Sequence, residues 1–196
     1  MAVAYIMDFP GGSAEDYEAV IAKMQLRDTM PPGGLFHAAG PTDEGWRVCD
    51  VWESAEQFQQ FADAKIGPLT AEQGMAPPRM RSFAVNQIRR GAQGPVTFVQ
   101  VVRLPGIDAE SFAEMDTRIT GPERQAPEGC VFHVNGMLDG EWCVLDYWTS
   151  KDIRDAFIAE RVRPAFEAAG VTAMPQFEEM AVHNVMTAPA EHTAGV

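Results

Sequence analysis

A repeat at a spacing of 96 residues constrains this chain more than any other feature. Residues 33–54 and residues 129–150 share 10 identities in 22 positions, where average composition gives roughly one or two. Shifts of 95 and 97 residues extend the match, from "FPGGSAEDY" to "LPGIDAESF" and from "FAVNQI" to "MAVHNV". The sequence therefore predicts two tandem copies of one unit.

The repeat divides the chain into two predicted domains. The first covers residues 1–90 and the second residues 96–187, with a linker at 91–95 and a flexible tail at 188–196. The stretch around the linker reads "RRGAQGP", and its Gly, Pro and charged residues are typical of a surface connection. With 46% hydrophobic and 22% charged residues, the chain has the composition of a folded globular protein.

Each copy has the same predicted order of secondary structure elements. An apolar strand, "VAYIMDF" or "TFVQVVRL", leads to a helix whose N-cap is Ser13 or Asp108. Two strands joined by a hairpin follow, then a second helix that begins after Ser54 or Ser150, and then a last strand. This order, β-α-β-β-α-β, is the ferredoxin-like arrangement.

A four-stranded sheet with helices on one face leaves its other face uncovered, and a unit of this size must bury that face. The second copy is the expected partner. We therefore predict an α+β fold in which two tandem ferredoxin-like βαββαβ repeats pack sheet to sheet. The product is an α+β barrel with a lumen between the sheets and the helices outside.

The turn of the second hairpin predicts the register of its strands. Asp139-Gly140 is a dipeptide favoured at the centre of a two-residue type I′ turn, so paired residues have numbers that sum to 279. His133 is then directly opposite Asp146. Because directly paired residues share a face of the sheet, the imidazole lies beside the carboxylate.

The first hairpin gives the same result from a different turn. If the chain turns at residues 43–44, paired residues have numbers that sum to 87, and His37 lies opposite Asp50. Both copies therefore place one imidazole beside one carboxylate. These four residues are the candidate catalytic groups.

Alternation along the strands separates two faces. One face is apolar and is predicted to pack beneath the helices; it carries Phe36, Ala38, Cys49 and Val51, with Phe132, Val134, Cys143, Leu145 and Tyr147. The other face is mixed, and we expect it to line the lumen as the wall of a small-molecule pocket. Its candidate substrate-binding residues are Trp46, Trp52, Trp142, Trp148 and Asn135, with Tyr5 and Gln100 added from the first strands and Asn86 and His183 from the last strands of the two copies.

An aspartate beside a histidine holds the ring in one tautomer and stabilises its protonated form. Such a pair serves as a general base or as a hydrogen-bond donor, so His133–Asp146 and His37–Asp50 suit acid–base chemistry. The alternative is structural, because a cross-strand pair also satisfies two buried polar groups and contributes roughly 0.2 to 1 kcal/mol. A metal site from His37, His133 and His183 is not expected, because the sequence has no short ligand spacing such as H-x-H or C-x-x-C.

Charge and cysteine content narrow the classes of partner and compartment. A formal net charge of -13 opposes binding to nucleic acid and to anionic membrane surfaces. The N-terminus "MAVAYIMDFPGG" has neither a basic start nor a long apolar run, so no signal peptide or membrane span is expected. Cys49, Cys130 and Cys143 are odd in number and indicate apolar residues in a reducing compartment. We expect a cytoplasmic protein.

The β-α-β-β-α-β unit, with a "W-x-V-x-D-x-W-x-S" strand that runs into a capped helix, resembles the dimeric α+β barrel superfamily, in particular its antibiotic biosynthesis monooxygenase-like domains. The likeness covers about residues 2–88 and 96–186. It implies a small apolar or aromatic ligand, and it leaves the reaction open among cofactor-free oxygenases, haem-degrading enzymes, isomerases and cyclases. Most members build the barrel from two chains, whereas this fused chain is expected to close it alone, with a homodimer as a further assembly.

The resemblance implies no cofactor for this chain. The Asn, Trp and His of the haem-degrading members have no matching pattern here. Quinone-forming members use a Trp, an Asn and a Tyr near the substrate. Their nearest counterparts are Trp46 or Trp142, Asn86 and Tyr5.

Two functions are compatible with these features. The first is a cofactor-independent monooxygenase-like or cyclase-like enzyme of secondary metabolism, which binds a largely apolar, polyketide-like molecule in the lumen and uses a His–Asp pair to move a proton. The second is a non-enzymatic ligand-binding or stress-related protein with structural His–Asp pairs; a self-association module with a filled lumen is a third interpretation. The extra polar residues Asn135 and His183 favour the second copy as the active one.

Overall fold

The computed structural model of the chain describes residues 1–26, 28–171 and 174–188. Both halves show a strand, a helix, two strands, an interrupted helix and a final strand, and in the second half this predicted final strand is divided into two. The strands are β1 (Val3–Pro10), β2 (Gly34–Thr42), β3 (Gly45–Trp52), β4 (Arg79–Arg90), β5 (Phe98–Leu104), β6 (Cys130–Leu138), β7 (Glu141–Trp148), β8 (Gln176–Ala181) and β9 (Asn184–Thr187). The helices are α1 (Ala14–Met24), α2 (Ala55–Phe61), α3 (Gly67–Glu72), α4 (Ala109–Thr120), α5 (Lys151–Phe157) and α6 (Arg163–Ala168). Within the described ranges, none of the helices has the length and apolar character needed to cross a bilayer.

These elements belong to two compact units whose boundary lies inside strand β4. Unit 1 comprises residues 1–84 together with the C-terminal segment from Met180, and unit 2 comprises residues 85–179. The compact units therefore divide before the linker predicted at 91–95. The domain boundaries read from the repeat stay a prediction, and the compact units of the structure have different boundaries.

Each unit has a mainly antiparallel sheet, and each sheet is completed by a strand segment from the other repeat. In unit 1 the strand order is β4-β1-β3-β2-β9, with residues 79–84 of β4 in the sheet. In unit 2 the order is β8-β5-β7-β6-β4, with residues 85–90 of β4 in the sheet. The ends of the last strands are therefore exchanged between the repeats. Sheet-to-sheet packing into a barrel stays a prediction.

The segment predicted as a surface linker is partly built into unit 2. Arg89 is buried, with 6% of its surface exposed. The backbone N–H groups of Gly91 and Ala92 donate to the carbonyls of Val131 and Cys130, beside the start of β6. The Gly and Pro content predicted a surface linker, and residues 93–95 are exposed, but hydrogen bonding to β6 holds the first residues of the segment against the sheet.

The predicted register of both hairpins is confirmed. His133 in β6 pairs with Asp146 in β7, and His37 in β2 pairs with Asp50 in β3. In the second hairpin the two turn residues, 139–140, have φ angles of 52° and 83°, the left-handed pair that a type I′ turn requires. Turn chemistry therefore determines which side chains meet across the strands.

All four predicted N-caps are present. The side-chain oxygens of Ser13, Ser54, Asp108 and Ser150 each accept a hydrogen bond from the backbone N–H three residues later. Each bond satisfies one of the N–H groups that a helix start leaves without an intrahelical partner. The helices therefore begin where the sequence indicates.

The second helix of each repeat is interrupted by a five-residue π-helical turn, at Ala62–Ile66 and at Ile158–Val162. Pro68 and Pro164 follow these turns in the first positions of α3 and α6. Because proline lacks an N–H and crowds the preceding turn, a regular α-helix cannot run through these positions. Both π-helical turns contribute wall residues to the cavities described below.

The helices cover the sheet face opposite to the one predicted. In unit 1 the Tyr17 hydroxyl on α1 lies 2.8 Å from His37 Nε2. In unit 2 the Phe112 ring on α4 packs against Trp142 at a centroid distance of 4.9 Å. The prediction that the mixed face looks into a lumen, with the apolar face beneath the helices, is therefore wrong.

The distribution of the tryptophans accounts for this error. The mixed face carries four tryptophans, whose large rings fill the space between a sheet and the helices on it. The other face carries small residues such as Ala38 and Cys49, and both are fully buried. Polarity alternates along the strands as predicted, and the tryptophans mark the helix-covered face, although the other face also carries the large side chains of Phe132 and Tyr147.

The C-terminal segment is ordered to the end of the described residues. Thr187 ends strand β9, and its carbonyl accepts a hydrogen bond from the Met30 N–H. Ala188, which falls in the predicted flexible tail, donates to the Leu35 carbonyl at 3.2 Å. The rest of that tail, residues 189–196, lies outside the described residues.

Gly40 in β2 provides a test of how closely the C-terminal segment packs in unit 1. A methyl group at Gly40 would lie 2.0 Å from the Ala181 carbonyl oxygen, so the backbone would have to move. We expect Gly40→Ala to lower the free energy of unfolding by about 1 to 3 kcal/mol, the usual cost of overpacking. Urea unfolding followed by tryptophan fluorescence measures this change.

Gly67→Ala is the matched control. Its added methyl group meets no atom closer than 3.5 Å, and the residue is exposed in a helix. There alanine should leave the free energy of unfolding unchanged or raise it by up to about 1 kcal/mol. Equal stability of Gly40→Ala and the wild type would contradict the close approach of Ala181 to β2.

Candidate functional site

Each unit contains a cavity between its own sheet and its own helices. The cavity of unit 1 has a volume of about 60 Å³, and that of unit 2 about 100 Å³. Both are smaller than the roughly 150 Å³ cavity that binds one benzene ring. His37 and Asp50 line the first cavity, and His133 and Asp146 line the second. The candidate catalytic pairs therefore lie in the walls of helix-side cavities.

In unit 1 the polar atoms of the His–Asp pair are hydrogen-bonded within the protein. His37 Nδ1 lies 2.7 Å from Asp50 Oδ1, and Asp50 Oδ2 accepts from Trp52 Nε1 at 3.3 Å. His37 Nε2 lies 2.8 Å from the Tyr17 hydroxyl, which accepts from Asn184 Nδ2 at 2.8 Å. Because the Asp50 carboxylate only accepts hydrogen bonds, the neutral His37 ring carries its proton on Nδ1, and its Nε2 accepts from the Tyr17 hydroxyl.

Tyr17 is fixed in this network as a neutral phenol. Burial raises the pKa of its hydroxyl far above the usual range, the hydrogen bond from Asn184 opposes that shift, and the nearby charge of Asp50 adds to it. The phenol therefore remains a donor to His37 at physiological pH. Unit 1 has the properties of a satisfied structural network.

In unit 2 the pair has the same tautomer but different neighbours. His133 Nδ1 lies 2.6 Å from Asp146 Oδ1, and Asp146 Oδ2 accepts from Gln100 Nε2 at 2.8 Å. Asn135 Nδ2 donates to His133 Nε2 at 2.9 Å, so the ring proton is again on Nδ1. The same amide nitrogen also lies 3.4 Å from Gln87 Oε1. The outer imidazole nitrogen is therefore held by an amide that has a second acceptor nearby.

Strand β4 brings a buried ion pair to the cavity of unit 2. The two terminal nitrogens of Arg89 donate to the two carboxylate oxygens of Asp116 on α4, and one of them also donates to Gln87 Oε1 at 2.7 Å. Both charged residues are 6% exposed, and such a pair needs additional hydrogen bonds to offset its desolvation. Arg89 Nε and Gln100 Oε1 are buried without a hydrogen-bond partner among the described residues. This cavity therefore retains unused hydrogen-bonding capacity.

Five residues of these networks are absent from the sequence-based predictions of the site: Tyr17, Gln87, Arg89, Asp116 and Asn184. For Arg89 and Asp116, comparison of the two repeats provides a sequence signal. At offsets of 97 and 95, Arg89 and Asp116 correspond to Met186 and Ile21, which line the cavity of unit 1. A basic and an acidic residue that both replace apolar residues of the other copy indicate a new ion pair.

The predicted substrate-binding residues are divided between cavity wall and core. Trp46 and Trp52 line the cavity of unit 1. Trp142 and Trp148 instead pack in apolar clusters against helix residues, and they are not wall residues of the unit 2 cavity as the structure describes it. Tyr5 stacks on a helix phenylalanine at 3.7 Å in the core, and burial raises the pKa of its hydroxyl. A role in ligand contact is therefore not supported for Trp142, Trp148 or Tyr5.

Asn86 lies in unit 2, which consists mainly of the second repeat, and His183 lies in unit 1, which consists mainly of the first. Asn86 donates to Asn135 Oδ1 at 3.3 Å in unit 2. His183 Nε2 lies 2.9 Å from Glu18 Oε1 in unit 1, and its ring is 5.2 Å from the Trp46 ring. The prediction that His183 adds a polar group to the site of the second copy is therefore wrong. The reason is that the chain leaves β8 before His183 and then pairs with β2 in unit 1.

Neither a metal site nor a reactive thiol is evident in the described part of the chain. No group of three or more His, Cys, Asp or Glu side chains there is arranged to hold a metal ion. Cys49, Cys130 and Cys143 are buried free thiols. Burial raises the pKa of the Cys49 and Cys130 thiols, which disfavours the reactive thiolate.

The chain is similar in structure to several solved proteins. A candidate monooxygenase from Lactobacillus acidophilus NCFM has a TM-score of 0.71 and 13% identity, over 95% of this chain and 96% of that chain. A candidate monooxygenase from Fusobacterium nucleatum subsp. nucleatum ATCC 25586 has a TM-score of 0.72 and 13% identity, over 95% and 94% of the two chains. An anthrone oxidase-like protein has a TM-score of 0.52 and 16% identity, over 100% and 96%.

Sequence comparison adds no closer relationship. No family model and no curated protein sequence matches the chain. At identities of 13 to 16% the structural similarity shows a shared fold and not a shared reaction. The chain therefore has the mixed α+β fold of these monooxygenase-like structures over nearly its whole length.

Proposed function

We propose that this chain is a small-molecule-binding enzyme that works in the cavity of unit 2, with His133 as the acid–base residue and Asp146 as its partner. The supporting observation is the convergence of polar side chains on a mainly apolar cavity: His133, Asp146, Arg89 and Gln100 all lie in its wall. Apolar walls with a few converging polar groups are typical of ligand sites. The proposal replaces the lumen expected from the sequence with a helix-side cavity.

His133 has the geometry of a general base. A ligand that reaches Nε2 replaces the Asn135 amide, which still has Gln87 as a second acceptor. The ligand gives its proton to Nε2, and Asp146, 2.6 Å from Nδ1, stabilises the imidazolium that forms. Arg89 Nε and Gln100 Oε1 remain available for polar groups of the ligand.

The reaction class that suits this arrangement starts with proton removal next to a carbonyl or phenol. The resulting carbanion either attacks a carbonyl of the same molecule, which is cyclisation, or reacts with dioxygen. In the second case a CH2 group and O2 give a C=O group and water, so the atoms balance with dioxygen as the co-substrate. Neither course requires a metal or a flavin, and we propose that the protein acts without a cofactor.

Cavity size restricts the part of the ligand that reaches His133. A volume of about 100 Å³ is below the roughly 150 Å³ that holds one benzene ring, so small movements of the wall admit a single ring. Several fused rings would displace whole wall residues. We therefore propose a one-ring apolar or aromatic group at His133 rather than a large polyketide.

A structural role is the second candidate function, and unit 1 favours it for its own pair. All four polar atoms of the pair have partners in both units, but the donor to His37 Nε2 is a buried phenol held by Asn184, whereas in unit 2 it is an amide with Gln87 as a second acceptor. The buried Trp46 Nε1 is the exception among the polar wall atoms described. We propose that unit 1 contributes stability and that unit 2 performs the chemistry.

Replacing each histidine separates these roles. We expect His133→Ala to lower turnover by about 100-fold or more, because general acid–base catalysis typically contributes that much. His37→Ala should change turnover little, although it should lower the melting temperature. The measurement is oxygen uptake or product formation with a panel of one-ring ketones and phenols, with circular dichroism to verify folding. Full turnover by a folded His133→Ala protein would rule out His133 as the base.

Tyr17→Phe tests the structural role assigned to unit 1. The substitution leaves His37 Nε2 and Asn184 Nδ2 without their shared partner in a buried network, at a cost of about 1 to 3 kcal/mol in the free energy of unfolding. The pocket of unit 2 should be unaffected. Thermal or urea unfolding measures the loss, and unchanged stability would show that the hydroxyl does not hold the network together.

A further inference from the structure

Methionine is concentrated in the wall of the unit 1 cavity. Five of the eleven methionines of the chain line this cavity, which has a volume of about 60 Å³. They are Met7 on β1, Met24 on α1, Met186 on β9, and Met30 and Met75 on the loops before β2 and β4. In unit 2 the cavity wall described by the structure has one methionine, Met115. The wall of unit 1 therefore has a composition that the shared fold does not require.

Comparison of the repeats shows the same contrast at equivalent positions. At an offset of 95 residues, Met7 and Met24 correspond to Val102 and Ile119. Each of these four side chains lines the cavity of its own unit. Valine and isoleucine are stiff because they are branched at Cβ, whereas methionine is unbranched and has three rotatable bonds. The wall of unit 1 can therefore change shape where the wall of unit 2 is stiffer.

The polar side chains described in the wall of the unit 1 cavity already have hydrogen-bond partners, with one exception. The His37–Asp50 network satisfies its own atoms, and Thr70 Oγ1 donates to a carbonyl of the preceding turn at 2.7 Å. The exception is Trp46 Nε1, which is a donor. A ligand with an O–H or N–H group therefore leaves water without meeting an unpaired side-chain acceptor, and burial of such a group is costly.

The helix side of this cavity has a thin, apolar wall. Ile21 and Ile66 on the helical segments, and Leu26 and Met75 on loops, are half-buried wall residues. A ligand that enters there displaces side chains and leaves the sheet intact, and even an enclosed apolar cavity takes up benzene or xenon. No lysine or arginine is among the described wall residues, so an anion would have no partner. Access and polarity both favour an uncharged apolar molecule.

We infer that the unit 1 cavity is a second ligand site, which takes up small apolar molecules without a charge and without an O–H or N–H group. Rotation of the methionine side chains enlarges the cavity to fit molecules of up to one ring. The thioether sulfur also makes favourable contacts with aromatic rings. Such a ligand binds the folded unit alone, so its binding stabilises unit 1. The site is separate from the unit 2 cavity and does not rest on the proposed catalytic function.

Isotope-labelled methionine methyl groups report binding to this cavity by NMR. Xenon, a single atom, fits the cavity without movement of the wall; toluene is larger, and phenol has an O–H group in place of the methyl group of toluene. We expect xenon and toluene to shift the resonances of the five wall methionines, while exposed Met137 stays unchanged. Phenol should bind about tenfold more weakly than toluene, because its O–H group is buried without an acceptor.

Two matched valines distinguish the two cavities. Val48 and Val144 correspond at an offset of 96 residues, and each lines the cavity of its own unit. Val48→Phe should fill the unit 1 cavity and abolish the effect of toluene on its methionines. Val144→Phe should leave that effect unchanged. Circular dichroism verifies that both variants are folded.

Replacement of both Met24 and Met75 by leucine tests the adaptable wall, and it also serves if Val48→Phe does not fold. Leucine has a similar volume but fewer rotatable bonds, and such a replacement is usually well tolerated. The double variant should bind xenon like the wild type, because xenon needs no movement of the wall. It should bind toluene several-fold more weakly.

Three outcomes would overturn the inference. Toluene could shift Met115 in unit 2 and none of the five wall methionines of unit 1, or phenol could bind as tightly as toluene. Xenon could also bind where toluene does not, which would make the cavity a packing gap. Turnover by His133→Ala has no bearing on any of these results, so the second ligand site and the proposed function stand or fail separately.

Discussion

Burial of a carboxylate is the constraint on which both candidate sites depend. Asp50 and Asp146 lie beneath helices with 4% and 6% of their surfaces exposed, and a buried ionised carboxylate is costly unless its oxygens are hydrogen-bonded. The hairpin register supplies the first partner, the imidazole directly across the strands. The second partner differs, since Trp52 donates in unit 1 and Gln100 donates in unit 2. In both units the aspartate fixes the imidazole proton on Nδ1 and leaves Nε2 as the nitrogen that can react.

The two units differ in what surrounds that second nitrogen. In unit 1 a phenol donates to it from α1, and apolar residues complete the wall; in unit 2 an amide from the same strand donates to it, and an ion pair enters the wall. Arg89 and Asp116 stand where the other copy has Met186 and Ile21. One buried charge without the other would be strongly destabilising, so the two charged residues act as a single feature. That feature adds an ion pair to the mainly apolar wall of the unit 2 cavity, where the unit 1 cavity has apolar residues.

The sequence predicted the elements of this fold better than the faces of its sheets. Turn residues and N-caps act locally, so the register and the helix starts could be read from a few positions such as Asp139-Gly140 and Ser54. The helix-covered face is the one that carries the tryptophans, and a pattern of polar and apolar residues alone does not identify it. His133 and Asp146 were found because cross-strand pairing is local to a hairpin. Arg89 was missed because its partner, on α4, is distant in sequence and because a "RR" pair before Gly resembles a linker.

Exchange of the last strands gives the two units different residues in the walls of their cavities. Unit 2 takes Gln87 and Arg89 from the first repeat, and unit 1 takes Asn184 and Met186 from the end of the second. If two identical chains formed such units, every substitution at the exchanged segment would appear in both sites. In a single chain the ends of β4 and β9 are separate sequences, so each can change without altering the other. A charged residue that would destabilise one cavity can therefore be accepted in the wall of the other.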